Sequence, residues 1–364
     1  MTRPTRSAEE VAARIEQVRR RRPRLLEDVV TLAHGAGGKS SAALTDAVFL
    51  DAFRNPTLEQ LGDAAVMTLP ELPHGGRLAL SADSYVVQPL RFPGGSIGHL
   101  AVHGTVNDLA VSGAVPAWLS AAFVIEEGLP IDELRGIVAD MADAARASGV
   151  AIVTGDTKVV AKGAADGLFI TTAGVGLIPT GRGLGPELVQ PGDRVLLSGP
   201  MGAHGMAVLL ARGDLALDAD IRSDTRPLHA LVARLLEAAP GTRWLRDATR
   251  GGVATVVNEL AAATDLAVVL DEASLPVAPV VAGACELLGI DPLYVANEGL
   301  FVAVVPPDEA DAGLAALRSL PGGEEAVAVG RIAADPPGLV LIETLFGGTR
   351  VVDMLVGDPL PRIC

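Results

Sequence analysis

From Thr180 to Asp193 the sequence reads TGRGLGPELVQPGD, a run too rich in glycine and proline to extend a strand or a helix. The connector, centred on Gly181 to Gly192, divides the chain into halves of one kind. Before it, RLALSADSYVV, VAIVTGDTKVV and LFITTAGVGLI read as strands, and PIDELRGIVADMADAARASG carries apolar residues at helical spacing between Pro130 and Gly149. After it, RVLLSG, LAVVLDE and LFVAVVP read as strands. RPLHALVARLLEAA, GGVATVVNELAAA, VVAGACELLG and DEADAGLAALRSL read as helices. Such alternation restricts the fold to α/β, in two domains. The expected boundaries are an Arg-rich extension at 1–30, an N-terminal domain at 31–185, a C-terminal domain at 186–357 and a flexible tail at 358–364 ending in Cys364.

With 364 residues, 49% of them hydrophobic, both domains have enough material for a core. The net charge of −15 argues against general binding to nucleic acid or to an anionic membrane. No apolar run reaches the length of a membrane span, and the start of the chain lacks the apolar region of a signal peptide. The two cysteines cannot build a disulfide framework. The expectation is therefore a cytoplasmic protein with no nucleic-acid or membrane partner. The first 25 residues stand apart, with eight arginines against three glutamates, and read either as a mobile solvated arm or as a contact for an acidic partner.

Several short stretches carry chemistry. In AHGAGGKSS, the glycines Gly35, Gly37 and Gly38 let backbone amides approach an anion, and Lys39 adds a point charge; a mobile glycine-rich loop has the same composition. The fixed spacing of a Walker A loop is absent. Asp63, Asp83, Asp108 and Asp156 each follow or end an apolar stretch, and are read at strand ends or turns on the rim of a sheet. Carboxylates so placed suit Mg²⁺ with nucleotide phosphates, because Mg²⁺ takes hard oxygen ligands and keeps some of its waters; each also suits a turn cap. LRDATRGGVATVVNE sets Asp247, Thr249 and Arg250 before a helix N-terminus, a natural phosphate cradle. Glu298, in YVANEGLF, reads either as a general base or as a turn carboxylate. His204 reads as structural and Cys285 as an inert core thiol.

Taken together, LAHGAGGK, ADSYVVQPLRFPGGSIG, GTVNDLAVSGAVPAWLS, FVIEEGLP, TGDTKVV, LRDATRGGV, CELLGIDPLYVANEG and the terminal PLPRIC resemble the HypE family of hydrogenase-maturation proteins, in the PurM-like (aminoimidazole-ribonucleotide synthetase) superfamily. The resemblance runs from about Leu32 to Cys364. It implies a two-domain PurM-like fold whose N-terminal mixed sheet binds ATP and pairs into a homodimer. It also implies an ATP-dependent carbamoyl dehydratase. Cys364 would receive a carbamoyl group from the carbamoyltransferase HypF, and the thiocarbamate would be dehydrated to a thiocyanate. Cyanide would then pass to the HypC–HypD scaffold, to become a ligand of iron in [NiFe]-hydrogenase. By the same resemblance, Asp63, Asp83, Asn107, Asp156, Asp247, Arg250 and the Gly35–Lys39 loop handle ATP, with Asp63, Asp83, Asp108 and Asp156 as Mg²⁺ ligands. Glu298 is the base, and Lys158 either orients the thiocarbamate or contacts phosphate. Pro359 and Pro361 keep the tail extended, at about 3.1 Å per residue.

The chain departs from the family pattern at His103, where Cys is common, at Leu300, where Lys is frequent, and in QLGDAAV, which provides one Asp where some relatives have two. Two other readings compete. One is another ATP-using enzyme of the superfamily acting on a free small molecule, which would need no terminal thiol. The other is a nucleotide-binding scaffold without catalysis.

Overall fold

The computed structural model describes residues 38–44, 46–47, 59, 61, 65–68, 76–213 and 219–355. After a short helix, α1 (Lys39–Leu44), the N-terminal half runs β1 (Ala65–Thr68), β2 (Arg77–Tyr85), the small hairpin of β3 (Arg91–Phe92) and β4 (Gly95–Ser96), α2 (Ile97–Val111), β5 (Val115–Glu126), α3 (Ile131–Ala147), β6 (Ala151–Val160) and β7 (Leu168–Ile178). The C-terminal half runs β8 (Arg194–Leu197), α4 (Ala203–Ala211), α5 (His229–Ala238), β9 (Trp244–Asp247), α6 (Gly252–Thr264), β10 (Ala267–Asp271), α7 (Pro279–Leu288), β11 (Phe301–Val305), α8 (Ala310–Arg318), β12 (Val327–Ala333), β13 (Val340–Glu343) and β14 (Thr349–Val352). The α/β reading of the sequence holds in both halves.

The first sheet is mixed, in the order β1-β2-β7-β5-β6, with only β5 and β6 parallel. Alternation along β2 and β7 turns one face inward onto α2, where Tyr85, Ile170 and Leu168 pack against Ile97, Leu100, Ala101 and Val106. The other face is bare: Leu80, Val115, Trp118 and Leu177 lie there, each more than 40% exposed. The second sheet has the order β14-β13-β10-β12-β8-β11-β9. One face is covered by α6 through Val253, Val257 and Leu260, the other by α5 and α8 through Leu231, Leu235, Leu314 and Leu317.

Helix α2 lies between the two sheets. It contacts β2 and β7 on one side and α5 and β9 on the other, and thirteen of its fifteen residues are buried. A helix buried all round shows no polar stripe, which is why its period is faint in the sequence. Asp108 is thus a helical residue of α2, and Asp83 and Asp156 lie within β2 and β6. The expectation that these acids sit at strand ends or turns is corrected on this point.

A polar segment, 219–228, joins the domains. The Ser223 N–H donates to the Pro93 carbonyl at 2.8 Å, and Thr225 Oγ1 pairs with His103 Nδ1 at 3.1 Å. Asn107 grips the segment twice: its amide donates to the Arg226 carbonyl at 3.1 Å, and its oxygen accepts from Leu228 N–H at 2.7 Å. The close approach explains the FPGGS motif. Gly94 has φ +94°, and a Cβ there would lie 2.7 Å from the backbone N and O of Ser223.

Candidate functional site

Glu298 occupies a turn just before β11, and side chains hold the backbone at residues 298 and 299. Asn297 donates to the Ala248 carbonyl at 2.7 Å, and its oxygen accepts the Gly202 N–H at 2.7 Å. The Asp224 carboxylate accepts two consecutive amides, Glu298 N–H at 3.0 Å and Gly299 N–H at 3.1 Å. Arg226 Nε donates to the Gly299 carbonyl at 2.9 Å. The Glu298 side chain therefore leaves a backbone with little freedom. It is 3% exposed, beside the charges of Asp247 at the end of β9, Asp224, Asp83 on β2 and Arg250 before α6. Burial, then the charges of Asp247, Asp224 and Asp83, push its carboxyl well above the usual carboxylate range, while Arg250 acts in the opposite sense. Such a carboxylate is a strong proton acceptor once ionised.

Facing it, β2 presents Ser81, Asp83 and Tyr85 to α2. The Tyr85 hydroxyl donates to Asp83 at 3.1 Å and lies 3.4 Å from Thr105 Oγ1. Thr105 and Thr172 pair at 2.6 Å, and Thr172 donates to the Ala101 carbonyl at 2.7 Å. The Ser81 hydroxyl donates to Asp108. Burial raises the carboxyl of Asp83, against the Tyr85 hydrogen bond and the Arg250 charge. Burial, with the charges of Asp83 and Asp108, raises the Tyr85 phenol strongly. The two domains thus enclose a desolvated patch of hard oxygen donors with Arg250 as its nearby cation, an arrangement that attracts further positive charge. Among the described residues, no three acidic, histidine or cysteine side chains converge closely enough to hold a metal ion alone. The donor set fits an Mg²⁺ ion that draws its remaining ligands from phosphate and water.

Asp83, Asp247, Arg250 and Glu298 come together across the domain boundary, and Asp108 adjoins them through Tyr85. Asp156 and Lys158 do not join this cluster within one chain. They pair with each other at 2.7 Å on edge strand β6, which lies three strands and roughly 14 Å from β2, on the bare face of the sheet. The Lys158 hydrogen bond, then the Thr157 amide, lowers the Asp156 carboxyl. Asn107, expected at ATP, has both ends of its amide bonded to the backbone of 226–228 and suits a tether between domains. Gly38 opens α1, and Lys39 pairs with Asp353 at 3.1 Å, at the root of the C-terminal tail. Gly35, Gly37, Asp63 and Cys364 lie outside the described residues. Cys285 is buried and its thiol is pushed up to about 11 by burial and Asp291, as an inert core thiol should be. His103 is buried and pushed down to about 3, so it is neutral at its place against Thr225.

Tyr85, Asp224 and Arg226 belong to this site although no sequence motif singles them out. Tyr85 lies two residues beyond Asp83 on β2, and the strand alternation that puts both on one face is its available signal. Asp224 and Arg226 sit in RSDTRP, whose polar turn residues between two apolar stretches were the available signal.

Two family models match: "AIR synthase related protein, N-terminal domain" over residues 61–178, and "AIR synthase related protein, C-terminal domain" over 190–342. A "Carbamoyl dehydratase HypE" of Rhodobacter capsulatus is 54% identical over 340 residues, 93% of this chain and 99% of that protein. Among solved structures, a HypE–HypF complex superposes with a TM-score of 0.81 at 45% identity, covering 86% of this chain and 100% of the other. HypE in complex with ATP gives a TM-score of 0.76 at 44% identity, covering 92% and 100%.

Proposed function

The chain belongs to the AIR synthase related family, among the HypE carbamoyl dehydratases, and from that premise we propose that it dehydrates a carbamoyl group carried on its own Cys364. The enclosed Glu298 turn, beside Arg250 and facing Asp83 across the domain boundary, is the observation that carries this reading. A primary carboxamide loses water poorly because its oxygen is a poor leaving group. Transfer of the γ-phosphoryl group of ATP to the carbamoyl oxygen, with loss of one N–H proton, gives a phosphorylated imidate and ADP. Removal of the second N–H proton then expels phosphate and leaves S–C≡N on Cys364. Glu298 takes the nitrogen-bound proton, and its desolvated carboxylate is matched to that weak acid. Arg250, at the N-terminus of α6, stabilises the charge of the departing phosphate.

Asp83 and Asp108, joined by Asp63 from outside the described residues, would hold Mg²⁺. That ion would neutralise charge on the phosphates. Tyr85, by donating to Asp83, orients that carboxylate and keeps one of its oxygens engaged. Asp247 shares the patch with Glu298 and strengthens it as an acceptor.

Lys158 and Asp156 enter the site only if the bare face of the N-terminal sheet is closed by a second copy of the chain, and the proposed assembly is such a homodimer. HypF loads Cys364, and the HypC–HypD complex receives the cyanide; the compartment is the cytoplasm. Among the described residues no helix is long and apolar enough to cross a membrane.

The test follows the C-terminal peptide by mass. Incubation with HypF, carbamoyl phosphate and ATP is expected to add a carbamoyl group and then remove one water. An unmodified peptide beside an active HypF would overturn the reading.

A further inference from the structure

The segment 219–228 does more than tie two domains together. It carries Asp224 across to the Glu298 turn, where one carboxylate captures two consecutive backbone amides at 3.0 and 3.1 Å. The neighbouring groups on the segment complete the grip: Arg226 N–H donates to the Glu298 carbonyl at 3.4 Å, and Arg226 Nε to the Gly299 carbonyl at 2.9 Å. The approach is so close that a Cβ on Gly299 would overlap the Asp224 carbonyl. The N-terminal domain holds the same segment through Pro93, His103 and Asn107. One segment is thus held by the N-terminal domain on one side and by the Glu298 turn on the other.

We infer that Asp224 is a positioning residue for Glu298, fixing by its paired amide contacts the turn that aims this side chain at the substrate. The inference rests on the reading of Glu298 as the proton acceptor. The contacts of Asp224 are with the backbone of residues 298 and 299, and its charge also helps raise the Glu298 carboxyl, so kcat is compared at a pH above the titration of Glu298. Proton transfer needs donor and acceptor at hydrogen-bond distance, and a displacement of about 1 Å lowers such a rate by up to about 100-fold. The effect should appear in kcat and leave the apparent KM for ATP alone, because the Asp83 and Arg250 side of the site does not depend on this contact.

The experiment compares the wild type with four full-length variants, loaded by HypF in excess, and follows loss of water from the C-terminal peptide against ATP concentration. Asp224→Asn keeps the size but places an N–H₂ against a backbone N–H. It should lower kcat by about 10- to 100-fold and change the KM for ATP by less than about twofold. In the Glu298→Gln background the same change should cost nothing further, since residues acting as a unit are non-additive. Thr225→Val removes the hydroxyl that meets His103 and leaves both amide contacts in place, so its kcat should match wild type. Should Asp224→Asn not fold, Asp224→Glu replaces it; the acceptors remain but are displaced by one bond, and the same kcat loss is expected. Wild-type kcat in Asp224→Asn, a rise in KM equal to the fall in kcat, or an undiminished loss in the Glu298→Gln background would each overturn the inference. Wild-type protein that gains carbamoyl but never loses water would instead overturn the dehydration reading on which it stands.

Discussion

At the residue scale the chemistry turns on how Glu298 is held and what surrounds it. A carboxyl raised by burial and by three neighbouring acids gains its proton more readily in the folded chain than in the unfolded one. Its contribution to stability is therefore fully present below the unfolded value and lost as pH rises through the folded one. Ionised Glu298 is a stability cost accepted for function. Glu298→Gln should accordingly raise the melting temperature at pH 8 by a few degrees and leave it nearly unchanged at pH 5, as thermal unfolding at the two values would register. Dehydration by the same variant should fall by about 100- to 10,000-fold, the usual weight of a general base. In the wild type, activity should rise with pH through the titration of Glu298, because only the ionised form accepts a proton. An acid limb at the ordinary carboxylate value would count against the enclosed environment described here.

Among the elements, the segment 219–228 and helix α2 decide the site. Helix α2 offers Asn107 to the segment and Thr105 and Asp108 to β2, so one buried helix sets both walls. The turn between β3 and β4, with Gly94, and the Glu298 turn, with Gly299, receive the segment from opposite sides. Gly299→Ala should push the Asp224 backbone away and cost about 1–3 kcal/mol, as overpacking in a close contact does; urea titration would measure it. Dehydration should weaken in step, because the same movement releases Glu298. A stable and fully active Gly299→Ala protein would show that the segment adapts without disturbing the turn.

At the scale of the whole molecule, the bare sheet face is where the proposed homodimer would form. Trp118 stands half exposed at its centre, in register with Val175 of β7 and Ala151 of β6, and Val115, Leu80 and Leu177 surround it. Aromatic residues in such a patch are the usual anchors of association, worth about 2 kcal/mol or more. Trp118→Asp should weaken dimerisation by about 30-fold or more, visible by sedimentation, with the helical signal intact. If Lys158 acts across the face, dehydration should fall with the dimer. A variant that stays dimeric would place the contact elsewhere.

What the sequence determined by itself was local. The strand of LFITTAGVGLI matches β7 from Leu168 to Ile178, and the amphipathic period of PIDELRGIVADMADAARASG matches α3, because one buried face imprints a period on the residues that form it. Glycines before helices and the polar ANEG turn were legible for a different local reason: tight turns admit few residue types. The tertiary structure decided the rest. Helix α2, buried on all sides, carried no period to read. The pairing of Asp224 with Glu298 joins residues 74 positions apart, and the separation of Asp83 from Lys158 follows from strand order and side-chain alternation. Residue types announce which chemistry is available, but only the packing of two domains across one segment determines which carboxylate is desolvated and which stays on an open face.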